Sequence, residues 1–85
     1  MSGIVLDQGD VQVDAGIIAA GLRLAPTLVQ PLMLAGRITS RLERGVGDDA
    51  GRYRLTFLHR KRQLQLVIDD AGQVLQQATT LRSTL

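Results

Sequence analysis

The side chains able to do chemistry in this sequence are few, and their types point away from catalysis. His59 is the sole histidine, and the serines Ser2, Ser40 and Ser83 are not near it in sequence. A nucleophile needs a base beside it and a third group to orient that base, and no such set can be assembled here. Cysteine is absent, which removes disulfides and thiolate metal ligands. Asp48-Asp49 and Asp69-Asp70 are paired carboxylates. Both pairs fall in turns, where Asp is favoured because its side chain bonds nearby backbone. They supply too few ligands of defined spacing for a cation. The stretch from Gly16 to Gly21 lacks the Lys-Ser/Thr ending of a phosphate-binding loop. The sequence predicts no enzymatic activity, no metal and no cofactor.

The remaining chemistry is cationic. Net charge is only +2, but nine of the ten bases are arginine and nine of the ten fall between residues 23 and 62. Residues 1–22 carry Asp7, Asp10 and Asp14 with no base. The guanidinium fork binds carboxylate and phosphate bidentately, so Arg37, Arg41, Arg44 and the run His59-Arg60-Lys61-Arg62 are candidate anion or nucleic-acid contacts. A basic hairpin tip is also what a solvated turn or a guarded sheet edge looks like. A composition biased to Arg, Ala, Gly and Leu accounts for the same arginines without any ligand.

Three kinds of element must position these groups. Val11-Gln12-Val13 alternates, and Asp7-Gln8-Gly9-Asp10 before it reads as a turn. With Gln8-Gly9 as a two-residue loop, Leu6 faces Val11 and Ile4 faces Val13, while Val5 faces Gln12 on the other side. Asp14 is a good N-cap for a short helix from Ala15 to Ala20, with Ile17, Ile18 and Leu22 inward and Gly21 helping to end it. Pro26 suits the first turn of a second helix to about Ala35, closed by Gly36. Pro31 is expected to kink that helix or split it in two.

From Thr39 to about Thr79 the pattern is that of an antiparallel meander. With Arg60-Lys61 as the loop, Phe57 pairs with Leu64, Leu55 with Leu66 and Tyr53 with Ile68 on one face. Thr56–Gln65, Arg54–Val67 and Arg52–Asp69 then share the other, a sorting by polarity that suits a half-buried sheet. A further turn at Asp70-Ala71-Gly72 leads into a last strand, whose register is open between a two-residue loop and a glycine bulge. Residues 47–51 read as an exposed loop.

The helix pair has helix-turn-helix spacing. Ile18 and Ala19 lie on the first helix, Leu22 and Leu24 flank the turn, and Val29 and Leu32 anchor the second helix. Arg23 stands where such a turn usually wants glycine. Residues 24–38 also resemble excisionase-type winged helices, with the Arg60-Lys61 hairpin in the place of the wing. The chemistry of a base reader is missing, however. Among exposed positions of the second helix only Gln30 and Thr27 can hydrogen-bond a base edge, and no Arg or Lys lies between Leu24 and Gly36.

Over nearly its whole length the chain resembles a family of small bacterial proteins of unknown function, mostly proteobacterial. The resemblance is carried by Val29-Gln30-Pro31-Leu32-Met33, Gly36-Arg37-Ile38-Thr39-Ser40, Glu43-Arg44-Gly45, Asp49-Ala50-Gly51-Arg52, Arg54-Leu55-Thr56-Phe57 and Val67-Ile68-Asp69 with Gly72. Leu42 departs from it, since family members often carry cysteine there. The resemblance implies a self-contained domain and no assigned activity.

These readings combine into one α+β domain over residues 1–85. It consists of an N-terminal hairpin (1–13), a helix pair (14–36), a four-stranded antiparallel meander (38–79) and a frayed tail (80–85). With 85 residues and 45% apolar side chains, such a chain buries only about 60–65% of its unfolded surface, so its margin is thin. No signal peptide is expected from Met1 to Asp7, and the apolar window Ile17 to Met33 is too interrupted to cross a membrane. A cytoplasmic location is expected by elimination. The sequence predicts a non-catalytic interaction or regulatory domain. Leu58, Val67 and Leu75, left on the second sheet face, are its self-association candidates, with the N-terminal hairpin as an alternative cover. The partners expected are a second copy or an unidentified protein, with no membrane. The alternative is a degenerate winged-helix binder of nucleic acid, weak and without sequence preference.

Overall fold

A computed structural model describes residues 4–7, 10–45 and 47–81. Strands β1 (Ile4–Asp7) and β2 (Asp10–Val13) form a two-stranded antiparallel sheet. Helices α1 (Ala15–Leu22) and α2 (Pro26–Leu34) follow. Then come β3 (Ile38–Arg44), a single 3-10 turn (Gly47–Asp49), β4 (Arg52–His59), β5 (Arg62–Asp69) and β6 (Val74–Leu81). The last four strands make one antiparallel sheet in chain order.

Polarity sets the registers. In the central hairpin Tyr53 pairs with Ile68, Leu55 with Leu66 and Phe57 with Leu64. Because side chains alternate along a strand, this register gathers the apolar ones on one face, and shifting it by one residue would turn them all outward. Leu64, Leu66 and Ile68 are fully buried. The N-terminal hairpin has the expected backbone pairing too, Ile4 with Val13 and Leu6 with Val11. Its loop at Gln8-Gly9 lies outside the described residues. Ile4 is buried and Val11 and Val13 pack on the main core. The hairpin therefore joins the helices on the apolar face and does not cover the second one, because its own apolar side chains need the same core.

The turn into β6 resolves as the glycine bulge. Gly72, at φ +82, closes residues 70–72 in the left-handed region that glycine tolerates. Its N–H donates to Asp69 O at 3.1 Å, and the Asp69 N–H donates to Gln73 O at 3.0 Å. The Asp69 side chain accepts from the N–H groups of Ala71 and Gln73, each at 2.9 Å. A second irregularity follows at once. Val67 pairs with Gln76 and Ile68 with Val74, which leaves Leu75 as the extra residue of a β-bulge. β6 then runs regularly to Leu81, so Thr80 and Leu81 are strand and not tail; residues 82–85 lie outside the described residues.

Helix α1 is capped as the sequence implies, with the Gly16 N–H donating to Asp14 Oδ1 at 2.8 Å. It does not end before Gly21. The helix continues through Gly21 and Leu22, and the reversal is made by Arg23, at φ +57 and ψ +47. The glycine serves packing instead. A Cβ at position 21 would stand 2.4 Å from Leu64 Cδ1, so only glycine lets the helix backbone rest on that leucine. At this contact the last-turn carbonyls find side-chain donors from the sheet. Thr79 Oγ1 donates to Gly21 O at 2.8 Å, and Arg62 Nη1 donates to Leu22 O at 3.2 Å. A cation there also suits the negative end of the helix dipole.

Helix α2 leaves at 94° to α1. Pro26 opens it and Gly36, at φ +73, closes it. The Arg37 N–H bonds Leu32 O at 2.8 Å and the Gly36 N–H bonds Met33 O at 3.1 Å, the paired bonds of a Schellman ending. Pro31 does not split the helix, which is continuous from Pro26 to Leu34. The only donor lost is the one that would have reached Thr27. Val29 is its only buried residue.

Two substitutions test this account. Gly21→Ala is expected to destabilise the chain by about 1–3 kcal/mol, because the added methyl overlaps a buried leucine. Arg23→Gly is expected to stabilise it by roughly 0.5–1 kcal/mol, since glycine enters the left-handed region without the Cβ clash. Urea denaturation of each variant reads both signs, and a neutral Gly21→Ala would remove the close approach as a determinant of the fold.

Candidate functional site

The sheet's second face is exposed to solvent and carries β3, β4 and β5 side chains of mixed polarity. Its best-defined contact is a cross-strand ion pair. Glu43 stands opposite Arg54 in the β3–β4 register. The guanidinium is bidentate on the carboxylate, with Arg54 Nη2 at 2.7 Å from Oε2 and Nε at 3.2 Å from Oε1. Those hydrogen bonds first, and then the charges of Arg54 and Arg41, hold Glu43 below the usual carboxylate range; the same bonds raise Arg54. The pair is solvent-accessible, so it fixes alignment more than it adds stability.

The bases singled out by sequence separate in space. Ile38 pairs with His59, so Arg37 lies at the same end of the sheet as Arg60, Lys61 and Arg62. Arg44 is at the other end of β3, six residues away, or roughly 20 Å. Arg41, opposite Thr56, is on the second face between them. Arg62 is half-buried and engaged with Leu22 O, so it acts as a cap on α1. Arg60 and Lys61 form the hairpin loop, with Arg60 at φ +57.

Gln30 is exposed on α2 but turns away from that basic end. At 100° per residue, Leu28 and Leu32 lie to one side of the buried Val29 and Gln30 lies to the other. Leu28 and Leu32, with Leu24 and Leu81, border the groove next to the Arg60-Lys61 tip. Gln30 and the tip thus occupy opposite flanks of α2. The self-association candidates also divide. Val67 and Leu75 border one shallow cleft with Arg44 and Arg54, whereas Leu58 is four residues along β4 from Arg54, Val67's partner, or roughly 13 Å away.

Two features escaped a reading by residue type. One is the groove itself, an open space of about 650 Å³ between α2 and residues 59–62. Its signal in the sequence is the spacing of Leu24, Leu28 and Leu32, of which Leu24 and Leu32 pack partly on the core and Leu28 is turned outward. The other is β6. All eight of its residues are exposed, and none is charged or proline. Among the described residues no three His, Cys, Asp or Glu side chains are grouped to hold a metal. No single helix among the described residues is long and apolar enough to cross a membrane.

The chain belongs to a family described as "Family of unknown function (DUF6522)", whose family model matches residues 1–84. No curated protein and no solved structure matches it.

Proposed function

We propose that this member of a family of unknown function is a non-catalytic interaction domain that pairs with a second copy of itself along the outer edge of β6. The observation that carries this reading is the character of that edge. An edge strand presents unpaired N–H and C=O groups, and native proteins guard such edges with charge, proline or bulges. β3, at the opposite edge, is guarded by Arg41, Glu43 and Arg44. β6 has only the bulge at Leu75, which leaves Gln76 to Leu81 regular, exposed and uncharged.

A second copy suits this edge better than an arbitrary strand does. Antiparallel pairing about a two-fold axis sets the strand against itself, and with no charge on β6 nothing repels. The same pairing brings the basic 59–62 end of one copy beside the Asp69-Asp70 turn of the other, since β6 runs between those two ends. A thin core gives the added burial thermodynamic weight. The apolar residues Leu58, Val67 and Leu75 are too scattered to form the interface by themselves.

The second reading, a degenerate winged-helix-like binder of nucleic acid, has the 94° helix pair in its favour. Against it stands the placement of Gln30, which does not share a surface with Arg60 and Lys61. This reading leaves only phosphate contacts from Arg37, Arg60 and Lys61.

Sedimentation over a concentration series tests the main proposal. A shift from 9.2 kDa to twice that mass in the micromolar range is expected. Ala78→Lys, which places a charge on the edge of each copy, should hold the chain monomeric. A wild-type chain still monomeric at millimolar concentration overturns the proposal.

For nucleic acid, the expected affinity is non-specific, roughly 10⁻⁴–10⁻⁶ M at physiological salt. Neutralising Arg37, Arg60 and Lys61 together should flatten its salt dependence. Nanomolar binding to one defined duplex, with the preference lost in Gln30→Ala, would install the winged-helix reading instead.

A further inference from the structure

The groove between α2 and the β4–β5 hairpin tip is separate from the β6 edge and has its own chemistry. One wall is lined by leucines, Leu24 just ahead of α2 and Leu28 and Leu32 within it, faced across the space by Leu81. Leu28 is 45% exposed and Leu81 71% exposed, so their apolar surface is not used by the protein's own core, whereas Leu24 and Leu32 pack partly against it. The rim is cationic. Arg60 and Lys61 stand on it, His59 and Arg62 adjoin them, and among the described residues no carboxylate borders the groove.

We infer that this groove docks an amphipathic helix of a protein partner, one that carries acidic side chains beside its apolar stripe. Three features select that occupant. First, residues four apart on a helix form the ridge that packs between the corresponding ridges of a second helix. Apolar anchors at i, i+3, i+4 and i+7 on the incoming helix would lie against the leucines. Second, Arg60 and Lys61 on the rim complement carboxylates, which steers encounter and fixes orientation. Third, the competitors fit less well. A second copy docking here about a two-fold axis would set cations against cations. A flat lipid surface would meet an open space between α2 and the hairpin tip rather than a continuous apolar face. A nucleic acid would find leucine where it needs donors.

The test uses the full chain and a synthetic helical peptide of about 14 residues, or four turns. The peptide carries Leu at i, i+3, i+4 and i+7 and Glu at the flanking positions. A second peptide carries Lys wherever the first has Glu. In a methyl and amide NMR titration, the Glu peptide should shift the resonances of Leu28, Leu32 and Leu81, and the Lys peptide should bind at least about tenfold more weakly. The charge-reversed chain Arg60→Glu/Lys61→Glu should lose about tenfold in affinity for the Glu peptide, its own spectrum reporting that it is folded. Leu34→Ala, at a residue 82% exposed and outside the groove, should bind as the wild type does.

Equal binding of the two peptides overturns the inference, as do perturbations that map away from the groove or an affinity unmoved by charge reversal. Stronger binding to vesicles of phosphatidylcholine and phosphatidylglycerol than to the Glu peptide, with the same methyls perturbed, would overturn it in favour of a lipid surface.

Discussion

The structure depends on how closely the backbone of α1 approaches the sheet at Gly21. That approach is possible only because position 21 has no side chain, and it puts the helix axis down on Leu64, at the centre of the apolar face. The rest follows in sequence. Thr79 from β6 and Arg62 from β5 come within reach of the last carbonyls of α1, so the helix end is held by two different strands. Arg23 then reverses the chain in the left-handed region, and α2 departs at 94°. Having left at that angle, α2 buries Val29 in the core and packs Leu32 partly against it. Leucines that an antiparallel pair would have buried are turned outward, which is why Leu28 and Leu34 are exposed in so small a domain. The groove beside α2 is a geometric consequence of the glycine before it.

The two faces of the sheet divide the work. One face builds a core almost entirely from Leu, Ile and Val, with Phe57 the only buried aromatic. The other is wetted and uses pairs such as Glu43–Arg54 to hold neighbouring strands in line. Covering one face with helices and the N-terminal hairpin, and leaving the second polar, is the usual economy of antiparallel sheets. It also leaves two edges, and these are treated differently: β3 carries charge and β6 does not.

Much of this fold was legible in the sequence, and the reason is periodicity. In both hairpins a one-residue slip would turn apolar side chains outward, so the polarity pattern admits a single register. What could not be read depends on tertiary contact. Gly21 looks like a terminator because glycine commonly ends helices, and nothing local reveals Leu64 above it. Arg23 carries no mark of its positive φ. Thr80 and Leu81 look like a tail until Gln63 and Arg62 are found opposite them. Residue type marks the site residues but gives no position. Arg62 resembles its neighbours Arg60 and Lys61 but is spent on a helix end, and Gln30 shares α2 with the groove yet faces the other way. The leucines at 24, 28 and 32 have helical spacing, and spacing does not say which stripe of a helix is inward.

The two surfaces proposed here are compatible because of where the charge lies. Arg37, Arg60, Lys61 and Arg62 gather at one end of the sheet, whereas Asp48, Asp69 and Asp70 belong to the loops at the other, beside Arg44 and Arg52. An antiparallel β6 pair alternates these ends, so each copy's basic end meets the other's acidic turn along the shared edge. The attraction is distributed over exposed groups and weakens with salt. It would therefore orient the proposed pair, while the strand hydrogen bonds would hold it. Each groove is walled by α2, on the side of the sheet away from the polar face, and β6 contributes only Leu81 to it. Pairing along the outer edge of β6 thus leaves both grooves open, one at either end of the extended sheet. A partner helix could dock at each, and a single protein bearing two such helices would gain avidity from the dimer that neither groove supplies alone.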